Sequence, residues 1–253
     1  MNLIRRQRFT PCYSVLVRKL SNVSPNHNIN VKFEDKTGVL NLGEGEKRFS
    51  NEFMKDFHLA LDEVESNTEC KSLITTADGK FFSNGLDLDF LLKQDDNGTR
   101  KYFKDVRKLF ERILTFPVPT LAALNGHSFA AGAILAFSHD FRYMRKDRGW
   151  ISLNEIFIHL RFHHFLFMIL RAKIPPGQAQ NEAIIYGKRF TGPEAKDYCL
   201  INAVVDQNNL LSDSINLMKM LENNNYKRSS MNIMKCDLYN DILSASDDYY
   251  KYK

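Results

Sequence analysis

The spacing of apolar positions along the chain predicts strands and helices in alternation. Residues Lys71 to Ala77 (KSLITTA) alternate and are rich in β-branched side chains, which is the period-2 signature of a strand. Pro119 to Leu124, Asp140 to Arg145 and Ile201 to Val205 read as further strands. Ile29 to Glu34 and Val39 to Leu42 read as a hairpin turned by Asp35-Lys36-Thr37-Gly38. Between the strands the period lengthens. Ser50 can N-cap a helix whose apolar stripe is Phe53, Phe57, Leu61 and Val64. Phe103, Val106, Phe110 and Ile113 mark a second helix from Arg100 to Thr115, stopped by Pro117 and Pro119. Gln94 to Gly98 (QDDNG), just before it, reads as a polar loop. Thr191-Gly192-Pro193-Glu194 is a capping box that opens a short helix. After Asp206 only helical patterns occur, broken at Asn223-Asn224-Asn225. No internal sequence repeat is visible. Strands alternating with helices imply an α/β fold.

Two places combine a strand, a tight turn and a helix start. In the first, Phe81-Phe82-Ser83-Asn84-Gly85-Leu86-Asp87-Leu88 follows the turn at Asp78-Gly79. In the second, the strand ending at Leu124 enters Asn125-Gly126 and then the small residues Ala130-Ala131-Gly132. The first N–H groups of a helix have no intrahelical partner, and small residues leave them open to a ligand. Two such turns can each supply one donor to a single oxyanion. A lone carboxylate, Glu155, follows the second turn. A donor pair and one positioned base suffice for proton chemistry beside a carbonyl.

These residues resemble the crotonase, or enoyl-CoA hydratase/isomerase, superfamily. The family pattern F-S-x-G-x-D-L is similar to Phe82 to Leu88, and P-T-x-A-A-x-x-G…G is similar to the stretch from Pro119 to Asp140. Leu153-Asn154-Glu155 resembles the segment carrying the catalytic glutamate of Δ3-Δ2-enoyl-CoA isomerases. The resemblance runs from about Ile29 to Asp206. It implies a crotonase-like spiral of repeated ββα units over residues 29–206, followed by a C-terminal helical oligomerisation segment over residues 207–253. It further implies backbone N–H donors at Asn84 and Ala131 and a catalytic base at Glu155. Substrate contacts are implied along Ser83, Asn84, Gly85, Leu86, Asp87 and Ala131. The first glutamate of the family's hydratases falls at Ile134, which cannot activate water, so isomerisation is implied over hydration. The implied substrate is an acyl-CoA thioester, with no separate cofactor, no metal and a homotrimeric assembly. Other crotonase-fold enzymes (a hydratase or a thioesterase) and a non-catalytic acyl-CoA-binding protein are the alternatives.

Composition changes the picture mainly at the N-terminus. The 253 residues, 43% hydrophobic and 26% charged, suit one soluble domain of generous size. No uninterrupted apolar run reaches the ~18 residues of a membrane span; Phe162 to Leu170 is short and interrupted by His163 and His164. The first 24 residues carry Arg5, Arg6, Arg8, Arg18 and Lys19, and no acidic residue precedes Glu34. This reads as a mitochondrial transit peptide with its linker over residues 1–28, and a disordered basic tail is the bland alternative. Those five basic residues equal the whole formal net charge of +5. The rest is near neutral, unlike a nucleic-acid binder. The expected location is the mitochondrial matrix, with the peroxisome as alternative, although Lys251-Tyr252-Lys253 is not a peroxisomal address. Cys12, Cys70, Cys199 and Cys236 form no C-x-x-C pair and suit a reducing compartment.

Other constellations in the sequence compete with this reading. Gly126-His127-Ser128-Phe129-Ala130 approaches a nucleophile elbow, and Asp147 and His159 follow in hydrolase order. His159, His163 and His164 have helical spacing for a metal, but no Glu or Cys completes a set, so a helix surface of half-buried imidazoles is expected. Gly43-Glu44-Gly45 lacks the lysine of a phosphate loop and reads as a turn. Lys47-Arg48 reads either as a solvated charge pair or as a segment close to bound CoA. Glu155 itself has a bland reading, as a helix cap or a partner of Arg161.

Overall fold

The computed structural model describes residues 29–245, so the expected leader and the tyrosine-rich C-terminus lie outside the described residues. The chain begins with an antiparallel hairpin of β1 (Asn30–Glu34) and β2 (Thr37–Asn41). Its turn is shorter than expected. Glu34 pairs with Thr37, which leaves only Asp35 and Lys36 in the turn, with Asp35 left-handed at φ 55°. After β3 (Arg48–Phe49), helix α1 (Asn51–Ser66) starts as predicted: Ser50 Oγ accepts from the Phe53 N–H at 3.1 Å, and the expected stripe is buried.

Next come β4 (Ser72–Thr76), β5 (Phe81–Ser83), β6 (Gly85–Leu86), α2 (Leu88–Leu91) and α3 (Asp96–Leu114). Helix α3 takes in most of the expected polar loop. The Asp95 carboxylate accepts from the Gly98 N–H at 2.7 Å, so the polar run is a capped first turn. Then follow β7 (Thr120–Leu124), β8 (His127–Phe129), α4 (Ala131–Ser138), β9 (Phe141–Arg145) and β10 (Ile151–Ser152). A 3-10 turn at Glu155–Ile158 leads to α5 (His164–Lys173). Helix α6 (Gln178–Gln180) runs into a π turn at Asn181–Ile185. The Glu194 carboxylate accepts from the Thr191 N–H at 2.9 Å and opens α7 (Gly192–Asp197), as the capping box predicts. The described residues end with β11 (Ala203–Val205), α8 (Leu210–Glu222), α9 (Arg228–Leu238) and α10 (Asn240–Leu243).

The sheets show how the chain coils. The main sheet has the order β1-β2-β4-β7-β9-β11, parallel apart from the first hairpin. A second, wholly parallel sheet places β5 and β10 on either side of β8. A third pairs β3 with β6. Each turn of chain therefore gives one strand to the main sheet, one to a small sheet, and then a helix. This is a spiral of ββα units in an α/β fold, as the resemblance implies. Phe49, Phe57, Phe82, Phe110, Phe116 and Phe165, all fully buried, fill the space between the helices and the sheets.

The C-terminal helices differ from a pure oligomerisation arm. Leu210 and Met218 of α8 pack on Ile74, Leu121 and Ala123, so α8 covers this chain's own main sheet. Helix α10 packs on α5. Helix α9 is attached through a charge: Lys235 is buried and donates to Asp140 Oδ2 and to the Val118 carbonyl. Asp140 Oδ2 also accepts from the Thr120 N–H at 2.8 Å, which fixes the mouth of β7.

Candidate active site

Three parallel strands set the site. β5, β8 and β10 lie side by side and point the same way, with Ser83 and Ile151 both in register with Ser128, and Ser152 with Phe129. In parallel α/β sheets the carboxyl ends of strands open onto the ligand crevice. Just beyond these three ends lie Asn84, Ala131 and Glu155. Residues 71 positions apart in sequence are thereby gathered by one small sheet.

The turns after β5 and β8 touch backbone to backbone. A Cβ on Gly132 would stand 2.4 Å from the Ser83 carbonyl oxygen, so only glycine fits there. A Cβ on Gly85, whose φ is 85°, would lie 3.0 Å from both the Ala131 nitrogen and the Phe129 oxygen. Ser83 is buried scaffold: its hydroxyl donates to the Lys47 carbonyl at 2.7 Å and accepts from the Gly85 N–H at 3.2 Å. Asp87 caps α2 by accepting from the Phe90 N–H at 3.1 Å. Its own N–H donates to the Tyr102 hydroxyl at 3.0 Å, and that hydroxyl donates to the Phe49 carbonyl at 2.8 Å. Leu86 packs half-buried against the core.

The two expected donors are not equivalent. No acceptor among the described residues takes the Ala131 N–H, which opens α4. Its direction is set by Ala130, held at φ 51° and ψ −127°, a conformation that costs a non-glycine residue ~1–3 kcal/mol. Ala130 is locked there by its N–H on the Ser152 carbonyl (2.9 Å) and by accepting from the Ala133 and Ile134 N–H groups. Asn84 departs from expectation. Its N–H donates to the Glu46 carbonyl at 2.7 Å, and its side-chain amide donates to Glu46 Oε2 at 3.3 Å. The first donor is occupied within the protein.

Glu155 opens the 3-10 turn with 5% of its surface exposed, and its Oε2 has no hydrogen-bond partner. Burial pushes its carboxyl up to about 7, opposed only by its own backbone N–H. No ion pair with Arg161 is among the causes of this shift. Ile134 is fully buried in α4, where it presents hydrocarbon and no second acid.

The rival constellations do not assemble. Ser128 is fully buried in β8 and its hydroxyl has no partner, while Asp147 pairs with Arg145 at 2.8 Å. His159 is exposed at the left-handed end of the 3-10 turn. The histidines also do not share a helix: His163 is the N-cap of α5, His164 its first residue, and His163 stacks on Phe103 with centroids 5.1 Å apart. No group of three or more potential metal ligands occurs among the described residues. Among those residues, no helix is long and apolar enough to cross a membrane. Lys47 is neither solvated nor half of a charge pair. It is buried, with its ammonium on the Asp78 and Phe81 carbonyls, and desolvation lowers its pKa to about 8. Arg48 pairs instead with Glu46 and Asp89. Nothing in the sequence pattern marks Glu46 or Tyr102 as part of this site, or shows that Lys47 is buried and Ala130 strained.

The profile of the family described as "Enoyl-CoA hydratase/isomerase" matches residues 40–242. The chain belongs to this family. Among its relatives, Enoyl-CoA delta isomerase 2, peroxisomal, of Arabidopsis thaliana is 39% identical over 159 residues, covering 60% of this chain and 66% of the relative. Enoyl-CoA delta isomerase 1, mitochondrial, of Mus musculus is 26% identical over 171 residues, covering 67% and 59%. The chain thus spans about two thirds or less of the length of these relatives. The human mitochondrial delta3-delta2-enoyl-CoA isomerase structure superposes with a TM-score of 0.77 at 21% identity, covering 85% of this chain and 84% of that one. An enoyl-CoA hydratase from Bacillus anthracis superposes with 0.74 at 22% identity, covering 86% and 84%. Isomerase and hydratase structures fit almost equally, so these superpositions establish the crotonase fold and the choice of reaction rests on the site.

The buried carboxyl has a measurable consequence for stability. Glu155 holds its proton up to about pH 7 in the folded chain but only to about 4.5 when unfolded. The folded state therefore binds more protons between those values, and stability falls as pH rises through that window. Above pH 7 the penalty is on the order of 3 kcal/mol. Glu155→Gln should be more stable than wild type at pH 8, with the difference shrinking towards pH 4.5, in urea denaturation at both values. An unchanged difference across the window would show that this carboxyl is not desolvated.

Proposed function

We propose that the protein is a Δ3-Δ2-enoyl-CoA isomerase that converts 3-enoyl-CoA to 2-enoyl-CoA in the oxidation of unsaturated fatty acids. The observation that carries this reading is the buried, unpartnered carboxyl of Glu155 just past β10, with Ile134 where a second acid would be needed for hydration. A base whose pKa lies near neutrality is matched to taking and returning a proton at physiological pH. Glu155 removes a proton from C2, and the electron pair moves onto the thioester oxygen to give a dienolate. The Ala131 N–H, at the positive end of α4, stabilises that charge. Glu155 then gives the same proton to C4 and the double bond settles between C2 and C3. Atoms and charge balance within the substrate, so the reaction requires no cofactor beyond the CoA that the substrate carries. The names of the Arabidopsis and mouse relatives support the same assignment.

The test is to supply 3-enoyl-CoA and 2-enoyl-CoA side by side. Wild type should convert the first to 2-enoyl-CoA, form little 3-hydroxyacyl-CoA from the second, and release no free thiol. Glu155→Gln should lower kcat by ~10²–10⁴-fold while acyl-CoA still binds, because the Ala131 donor is a backbone group. Near-wild-type turnover by that variant would identify another residue as the base.

The proposed assembly is a homotrimer. Helix α9 supports association because it is inverted: it buries Lys235 and exposes Ile233, Met234 and Leu238, an apolar stripe that another copy would cover. Light scattering should give a multiple of the 29.4 kDa chain mass, and a stable monomer would refute the assembly. The proposed address is the mitochondrial matrix, supported by the arginine-rich, acid-free first 24 residues. The Arabidopsis relative is named peroxisomal and the mouse relative mitochondrial, so the leader is the distinguishing feature. Deleting residues 1–20 should abolish mitochondrial import and leave a soluble, active protein. Peroxisomal or cytosolic residence of the full chain would overturn it.

A further inference from the structure

Helices α1 and α3, with α2, enclose a cavity of about 630 Å³, a volume within the range of small-molecule sites. None of Asn84, Ala131, Ile134 or Glu155 lines it. The floor is apolar, with Met54 and the Tyr102 ring buried and Phe90 half-buried. The mouth is cationic, with Lys55 on α1 and Lys101 and Lys108 on α3, all exposed. Asp105, the single carboxylate in the lining, is taken by Lys108 at 2.8 Å. Lys55 and Lys101 have no ion pair among the described residues. His58 adds a donor of fixed identity. Its Nδ1 lies 3.3 Å from Arg112 Nη1. A guanidinium only donates, so Nδ1 accepts and the imidazole proton sits on Nε2. Burial, with the Arg112 charge beside it, lowers the His58 pKa to about 4, so the ring stays neutral and keeps that tautomer. No described residue accepts from its Nε2–H.

We propose that this cavity is a second ligand site, for a free fatty carboxylate, whose chain lies on Met54, Phe90 and the Tyr102 ring and whose head meets Lys55, Lys101 and the His58 Nε2–H. The inference stands apart from the isomerase reading. Two ammoniums without a counter-charge call for an anion, and neither they nor the imidazole N–H can accept a hydrogen bond. The apolar floor calls for hydrocarbon on the same molecule. A fatty carboxylate supplies both, and it is the class of molecule that hydrolysis of an acyl thioester releases. The floor also backs the turn after β5. Asp87 caps the Phe90 N–H, and its own N–H donates to the Tyr102 hydroxyl. A chain seated on those two rings therefore bears on the residues that hold that turn.

The test is calorimetric titration of the full chain with decanoate, decanol and inorganic phosphate. Decanoate should bind, and the uncharged alcohol and the tail-less anion should each bind about 10-fold more weakly or not at all. An ammonium at an exposed mouth contributes about 2- to 5-fold in affinity, so Lys55→Gln combined with Lys101→Gln should weaken decanoate by about 4- to 25-fold. Both positions are exposed, and circular dichroism should show the fold of that double variant unchanged. Hydrogen exchange locates the ligand: amides of residues 51–59 and 98–108 should slow when decanoate is added to wild type. Decanoate that binds the double variant as tightly as wild type, or that slows exchange only around Glu155, occupies the reaction site and overturns the proposal. Decanol binding as tightly as decanoate would remove the lysines from recognition, and phosphate doing so would remove the apolar floor. Either result overturns it.

Discussion

The site depends on the contact between the Ser83 carbonyl and the α-carbon of Gly132, which leaves no room for a side chain. Through it the turn after β5 and the first turn of α4 become one rigid unit. Gly85 repeats the constraint from the other side, against the Ala131 nitrogen and the Phe129 oxygen. β8 lies between β5 and β10, so the strand that leads to Glu155 belongs to the same small sheet as the two turns. Ser83 Oγ, Tyr102 and the Asp87 cap then tie the unit to the start of β3, to α2 and to α3. Turns built this way are preorganised by backbone packing and not by flexible side chains.

Several features of the site oppose stability. Ala130 sits at a positive φ, Glu155 is buried without a partner for Oε2, and Lys47 and Lys235 are buried amines. Each lysine is held by carbonyl or carboxylate acceptors, so its burial is compensated. Glu155 and Ala130 are not compensated in the same way. Uncompensated strain and desolvation of this kind gather where a site must perform chemistry. A carboxylate that water or arginine could satisfy would be a more stable group and a poorer base near pH 7.

Much of the spiral was legible in the sequence because its long elements obey simple periods. The stripe of Phe53, Phe57, Leu61 and Val64 lies in the core, and Ser50 and Thr191 cap their helices as predicted. The errors have physical causes. Asp95 to Gly98 resembles a loop in composition, yet a carboxylate accepting an N–H two to three residues on is how a helix begins. Gly38 resembles a turn residue, but it stays in β2 because Val64 and Cys70 pack where its side chain would be. Strands β5, β8 and β10 have two or three residues each, too few for any period, and their alignment is a tertiary property. The structural repeat was invisible for the same reason: it lies in the path of the backbone and leaves no common residue pattern. The engagement of Asn84 by Glu46 and the burial of Lys47 likewise arise only when residues 43–47 are laid across β5.

The central claim is that desolvation makes Glu155 a base poised near neutrality. The most direct test is the pH dependence of kcat/KM for a 3-enoyl-CoA, measured between pH 5 and 9 on the wild-type protein. The account predicts a rate that rises with pH through an apparent pKa of about 7, as the buried carboxyl loses its proton. A midpoint near 4.5, the value of a solvated glutamate, would contradict it, as would a profile flat from pH 5 upwards.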